Sequence, residues 1–124
     1  MDKTILIVDD DATIITLYKE RLEMDNYRVV LAENGSEAIE KIDQAKHDLI
    51  LLDVMMPKLG GIDVLEFIKS QEKLKKIPVI VFTALSSDES KINSLIKGAD
   101  DYIVKTKITP KELVSKIKNI LSKN

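Results

Sequence analysis

Cysteine is absent from this chain and histidine occurs once. Without cysteine there are neither disulfides nor thiolate metal sites. An excess of one charge is missing too. Nineteen basic residues face 21 acidic ones, and the formal net charge is -2. That balance gives no electrostatic pull toward nucleic acid or an anionic membrane. No apolar run approaches the roughly 20 residues of a membrane span. Four glycines and three prolines are spread thinly, and nothing resembles a linker, repeat or low-complexity tract. The opening Met1-Asp2-Lys3-Thr4 leads straight into a strand and lacks signal-peptide form. The expectation is a cytoplasmic protein.

What is present is enough for one core. The chain has 124 residues, 44% hydrophobic and 32% charged, which is the range of a globular domain. We expect a single domain over residues 1–124 with no output domain attached. Apolar runs of strand length alternate with segments of helical period. The runs are β1 (Thr4–Val8), β2 (Tyr27–Leu31), β3 (Leu49–Leu52), β4 (Val79–Thr83) and β5 (Asp101–Val104). β1, β3 and β4 are nearly continuous in Ile, Val and Leu, as expected of strands covered on both faces.

Helices fill the intervals: α1 between β1 and β2, α2 between β2 and β3, α3 between β3 and β4, α4 between Ser86 and Gly98, and α5 from Pro110 onward. Three starts are legible as a capping residue with an acid three positions later: Asn34 with Glu37, Ser86 with Glu89, and Thr109 with Glu112. Pro110 takes the first helical position of α5. Apolar spacing marks Ile14, Leu17 and Tyr18 on α1, and Leu113, Ile117, Ile120 and Leu121 on α5. The β-α alternation implies a parallel, doubly wound sheet with right-handed crossovers. Such a sheet binds ligands beyond the carboxyl ends of its strands, where the strand order reverses. In the order 2-1-3-4-5 that place lies between β1 and β3.

Both of those strands end in acids: Asp9-Asp10-Asp11 after β1 and Asp53 after β3. Carboxylates packed together repel, and one resists ionisation unless a cation is present. An oxygen-only site with room for water suits Mg²⁺. Thr83 at the end of β4 offers a hydroxyl, and Lys105 after β5 offers a point charge for phosphate oxygens. An aspartate beside a metal and a lysine is a plausible nucleophile toward phosphorus. Asp11 is the natural cap of α1.

The chain resembles the receiver domains of two-component response regulators, in their CheY-like, stand-alone form. The residues that carry the resemblance are Ile5 through Asp11, Asp53-Val54-Met55-Met56-Pro57 through Gly61, Val79 through Ala84, and Gly98 through Lys105. It implies a flavodoxin-like (βα)5 fold and a phosphorelay switch rather than an enzyme. Asp53 would take a phosphoryl group from a phosphohistidine on a histidine kinase or phosphotransfer protein. Asp10, Asp53 and the Met55 backbone carbonyl would hold Mg²⁺, with Asp9 acting through water. Lys105 would pair with Asp53 and then with a phosphoryl oxygen. Thr83 would bond another oxygen and Tyr102 would turn inward, shifting the α4-β5-α5 surface. Ile14 or Ile15, with Lys107, Ile108 and Pro110, would dock the kinase, one of the two isoleucines staying exposed.

The chain departs from the family where proline usually follows the lysine; here Thr106 does. A cis bond before threonine costs about 2.5–4 kcal/mol, so the Lys105–Thr106 bond is expected trans. Met55 and Leu85 stand at two positions that tune hydrolysis in the family. Neither can orient an attacking water, which implies a long-lived phosphoryl group. Met56 reads as core and the Lys73–Lys76 run as a solvated loop. His47 reads as a surface residue without chemistry. Lys91, Asp100, Asp101, Glu112 and Lys116 could support a phosphorylation-linked homodimer. The downstream partner is not specified. Two other functions compete: an aspartate-based phosphatase using Asp9-Asp10-Asp11 with Asp100-Asp101, and a phosphorylation-independent scaffold.

Overall fold

Two apolar faces on one set of strands decide the architecture. Successive strand residues point to opposite sides, so runs such as Ile5-Leu6-Ile7-Val8 need cover on both. In the computed structural model, which describes residues 3–53, 60–83 and 98–122 with the side chains of Thr83 and Thr106 excepted, that cover is in place. Five parallel strands run in the order β2-β1-β3-β4-β5. β1, β3, β4 and β5 keep the bounds given above, and β2 runs Arg28–Ala32. The helices are α1 (Ala12–Met24), α2 (Gly35–Gln44), α3 (Gly61–Ser70) and α5 (Pro110–Ser122). The stretch expected to form α4 lies outside the described residues, as do Met55, Met56, Leu85 and Lys91.

The alternation sorts the core into two layers. Leu6, Val8, Ile50, Leu52, Val79 and Val81 pack with Ala38 and Ile42 of α2 and with Val64, Leu65 and Ile68 of α3. Ile5, Ile7, Leu49, Leu51, Ile80, Phe82 and Ile103 pack with Ile15, Tyr18 and Leu22 of α1 and with Leu113, Val114, Ile117 and Leu121 of α5. The helices start where side chains satisfy their free amides. The Asp11 carboxylate accepts from the Thr13 and Ile14 N–H groups. Asn34 accepts from the Glu37 N–H. Thr109 and Glu112 cap each other reciprocally at α5.

Three expectations need correction. β2 begins one residue late because the Tyr27 N–H still donates to Leu22 O of α1, after a left-handed turn at Asn26 (φ 69°). On α1 the buried residues are Ile15, Tyr18 and Leu22; Leu17 is about half exposed, at 49%. His47 is buried, only 3% exposed, and not a surface residue. It lies at the amino ends of the strands, where it lines a cleft together with Ile77 and Pro78. There Asp48 accepts from the Thr4 N–H and Asp100 from the Val79 N–H.

Candidate functional site

The two leading acids are placed by the sheet itself. Asp9 and Asp53 are each the first residue beyond a strand, and each amide still donates to the last carbonyl of the adjacent strand. Asp9 N–H reaches Ala32 O at 3.0 Å, and Asp53 N–H reaches Val8 O at 2.9 Å. Both side chains therefore project from the carboxyl edge at the β1/β3 junction. Both are buried, whereas Asp10 is exposed. Thr83 closes β4 opposite Val104 of β5, at the same edge. Lys105 follows as the first residue of a short 3-10 turn, Lys105–Lys107. No cis peptide occurs among the described residues, so the Lys105–Thr106 bond is trans, as expected.

Lys105 reaches back over the edge to the acids. Its Nζ donates to Asp53 Oδ2 at 3.0 Å and lies 2.6 Å from Asp9 Oδ2. The approach to Asp9 is the closer of the two ion pairs. Burial opposes the Lys105 charge, but the contacts to Asp9 and Asp53 more than offset it, so its pKa is raised. Burial pushes the Asp9 carboxyl up, and the neighbouring Asp53 charge adds to that. Lys105 and the Asp11 N–H, which donates to Asp9 Oδ1 at 2.9 Å, oppose the shift without cancelling it. The ammonium also lies 5.5 Å from the centre of the Phe82 ring.

One carboxylate oxygen from each of Asp9, Asp10 and Asp53 falls within 4.8 Å of the other two. This donor set is all oxygen, partly open to water, and carries more negative charge than Lys105 balances. It fits a hard divalent cation of the Mg²⁺ class and offers nothing to a soft one. The arrangement thus joins a cation site, a buried carboxylate oxygen and a fixed ammonium.

Other expected residues fall elsewhere. Tyr102 is half-buried on β5 and packs against the α2/α3 layer. Ile15 is buried in the opposite layer and Ile14 is half-buried beside it, so neither is fully exposed on α1, and only Ile14 keeps part of its surface open. Lys107 is exposed, and Ile108 and Pro110 are half-buried; Lys107 and Ile108 line a cleft with Tyr102, Glu112 and Lys116. Asp100 and Asp101 do not join the acids. Asp100 pairs with Lys69 at 3.6 Å and serves the start of β4, while Asp101 pairs with Lys116 at 3.1 Å. The Lys73–Lys76 run is exposed at its lysines, as expected. Phe82 is the site residue that sequence reasoning missed. Its one signal was an aromatic ring in an otherwise aliphatic strand.

Comparison with known proteins points the same way. A family described as the response regulator receiver domain matches residues 5–118. The alkaline phosphatase synthesis transcriptional regulatory protein PhoP of Bacillus subtilis is 40% identical over 124 residues, covering 100% of this chain and 50% of that protein. The chain spans about half the length of the curated relatives it matches. A CheY-like receiver domain protein from Methanospirillum hungatei superimposes with a TM-score of 0.87 at 35% identity, covering 99% of this chain and 96% of that one. The response regulator TrrA of Thermotoga maritima, solved in complex with Mg(2+)-BeF, gives 0.82 at 37% identity, covering 95% and 98%.

Proposed function

We infer, for a chain that belongs to the response regulator receiver domain family, that Asp53 is its phosphoacceptor and that the acid cluster is its Mg²⁺ site. The observation that carries the reading is the Lys105 ammonium held 3.0 Å from Asp53 Oδ2. Asp53 Oδ2 is the oxygen that would attack phosphorus. Its charge is balanced in the resting protein by a group that can transfer to a phosphoryl oxygen as the new bond forms. Asp9, Asp10 and Asp53 would hold the cation, with the Met55 carbonyl as a further ligand. When bound, Mg²⁺ would neutralise charge building on the phosphoryl oxygens. The donor would be a phosphohistidine of a histidine kinase or phosphotransfer protein.

The chain's own residues then read out the change. A phosphoryl group adds roughly -1.5 to -2 charges and strong acceptors at the sheet edge. Thr83, beside Val104 in the ladder, would bond one of those oxygens, and half-buried Tyr102 would move inward. β5 would carry that shift to α5 and to a separate partner protein. Ile14, Lys107, Ile108 and Pro110 are proposed for docking the kinase. The relative TrrA was solved with Mg(2+)-BeF, which supports the metal assignment.

The phosphatase reading loses ground on geometry. Asp100 and Asp101 sit where β5 begins, across the sheet from Asp9 and Asp10, and are engaged with Lys69 and Lys116. Intact Asp9, Asp10, Asp53 and Lys105 in mutual reach likewise weigh against a phosphorylation-independent scaffold. The test is mass spectrometry after incubation with acetyl phosphate and Mg²⁺. A single phosphoryl adduct, absent in Asp53→Ala, is expected. Repeated turnover of a small phosphate ester, or an adduct that survives in Asp53→Ala, would overturn the assignment.

A further inference from the structure

We propose that Phe82 is a positioning residue: its ring is the seat that holds the Lys105 ammonium at the acid pair. The inference rests on the reading of Lys105 as the group that contacts the phosphoryl oxygen. Its premise is register. Phe82 of β4 lies opposite Ile103 of β5, and both face the α1/α5 layer. β5 ends at Val104, whose backbone is still extended (φ -89°, ψ 124°), so Lys105 leaves the strand end two residues beyond Ile103. From there its ammonium reaches Asp9 and Asp53. The Nζ lies over the ring, 5.5 Å from its centre, while the ring is 2% exposed.

The ring is itself fixed. Tyr18 of α1 meets it edge-on, with centroids 5.3 Å apart and planes at 81°. That is a geometry aromatic pairs prefer, and it packs the Phe82 ring against α1. The ammonium meets the negative face of the ring on a lysine side chain that is 10% exposed, and burial strengthens a cation-π contact. Lysine has a flexible four-carbon stem and loses much rotamer freedom when its ammonium is confined. An aliphatic side chain at position 82 would fill the space but present no negative face. Phe82 therefore acts by restricting where the ammonium sits before the phosphoryl group arrives.

The experiment separates charge attraction from packing. Mono-, di- and trifluorinated phenylalanines placed at position 82 alone withdraw electrons from the ring face stepwise with little change of shape. Phe82→Leu removes the face altogether. Three quantities are measured: the rate of phosphoryl uptake from acetyl phosphate with Mg²⁺, the melting temperature, and the NMR order parameter of the Lys105 ε-methylene without metal. We expect uptake to fall stepwise with fluorination, by about 2- to 5-fold at the end of the series, the weak end of the cation-π range, as suits a separation of 5.5 Å. The order parameter should fall in parallel while the melting temperature of the fluorinated proteins stays put. Uptake that is flat across the series, or that falls only where the melting temperature falls, would overturn the proposal. Should the unsubstituted protein take up no phosphoryl group on Asp53, the functional reading fails instead. The metal-free mobility of Lys105 then still decides the role of the ring: rising with fluorination supports it, and unchanged refutes it.

Discussion

Take Lys105 away, and Asp9 and Asp53 face each other as two buried carboxylates. Truncating one partner of a buried pair typically costs about 3–5 kcal/mol. The loss here should be smaller, because Asp9, already raised in pKa by burial, neutralises itself by taking a proton. Lys105→Ala is accordingly expected to melt below the unsubstituted protein without metal, and Mg²⁺ should restore more stability to the variant than to its parent. Melting curves with and without Mg²⁺ check this. A second residue acts at the opposite end of the sheet. Burial lowers the His47 pKa, so the folded chain holds the ring's second proton less tightly than the unfolded chain does. The unfolded chain takes the proton first as pH falls. The stability His47 contributes is therefore complete above the unfolded value of about 6.5 and declines as pH drops toward the folded value. Between about pH 7 and pH 5 the melting temperature should fall more steeply for the native chain than for His47→Gln. Parallel slopes would show that the ring does not carry the effect. Nothing in the local sequence announced this burial. His47 read as a surface residue ahead of β3, and its burial is set by the tertiary fold.

Elements were legible in proportion to how much of their structure is local. β1, β3 and β4 stood out because strands buried on both faces become nearly continuous runs of Ile, Val and Leu. α2 and α5 announced themselves through caps, which are patterns of three or four neighbouring residues. α3 gave a weaker signal, since its cap is Gly60, whose N–H donates to Asp63 Oδ2 at 3.3 Å without any capping side chain. α1 shows where periodicity misleads. Ile14-Ile15 and Leu17-Tyr18 offer two overlapping stripes, and only tertiary contact selects Ile15, Tyr18 and Leu22. The acid pair was readable because strand ends fix it, whereas the Phe82 seat depends on strand register, which no single strand encodes. The caps also make a quantitative forecast. Thr109 Oγ1 accepts from the Glu112 N–H at 3.2 Å, and Glu112 Oε1 accepts from the Thr109 N–H at 3.1 Å. Thr109→Ala removes one arm of that box and should cost about 1 kcal/mol. Urea unfolding should show a lower midpoint with an unchanged slope, because the surface buried is the same.

Across the whole molecule the sheet separates two kinds of chemistry. At its carboxyl edge Asp9, Asp10, Asp53 and Lys105 form a site whose charges are incompletely balanced. At its amino edge Asp48 and Asp100 are committed to the Thr4 and Val79 amides. An acidic site left short of cations costs stability, and that cost is recovered when ligands bind the folded chain only. A phosphoryl mimic that needs both Mg²⁺ and the Asp53 oxygen should therefore stabilise the entire domain by linkage. Because the relative TrrA was solved with Mg(2+)-BeF, beryllium fluoride is the natural probe. At a hundredfold excess over its dissociation constant, linkage amounts to about 2.7 kcal/mol. For a domain of this size that is on the order of 10 °C in melting temperature. Beryllium fluoride with Mg²⁺ should give such a rise, while Mg²⁺ with fluoride alone should give a smaller one. Asp53→Ala should lose the difference between the two while keeping its fold. A full rise in Asp53→Ala would place the adduct on another side chain. No difference between the two treatments in the native chain would mean that Asp53 and the cation site do not act as one unit.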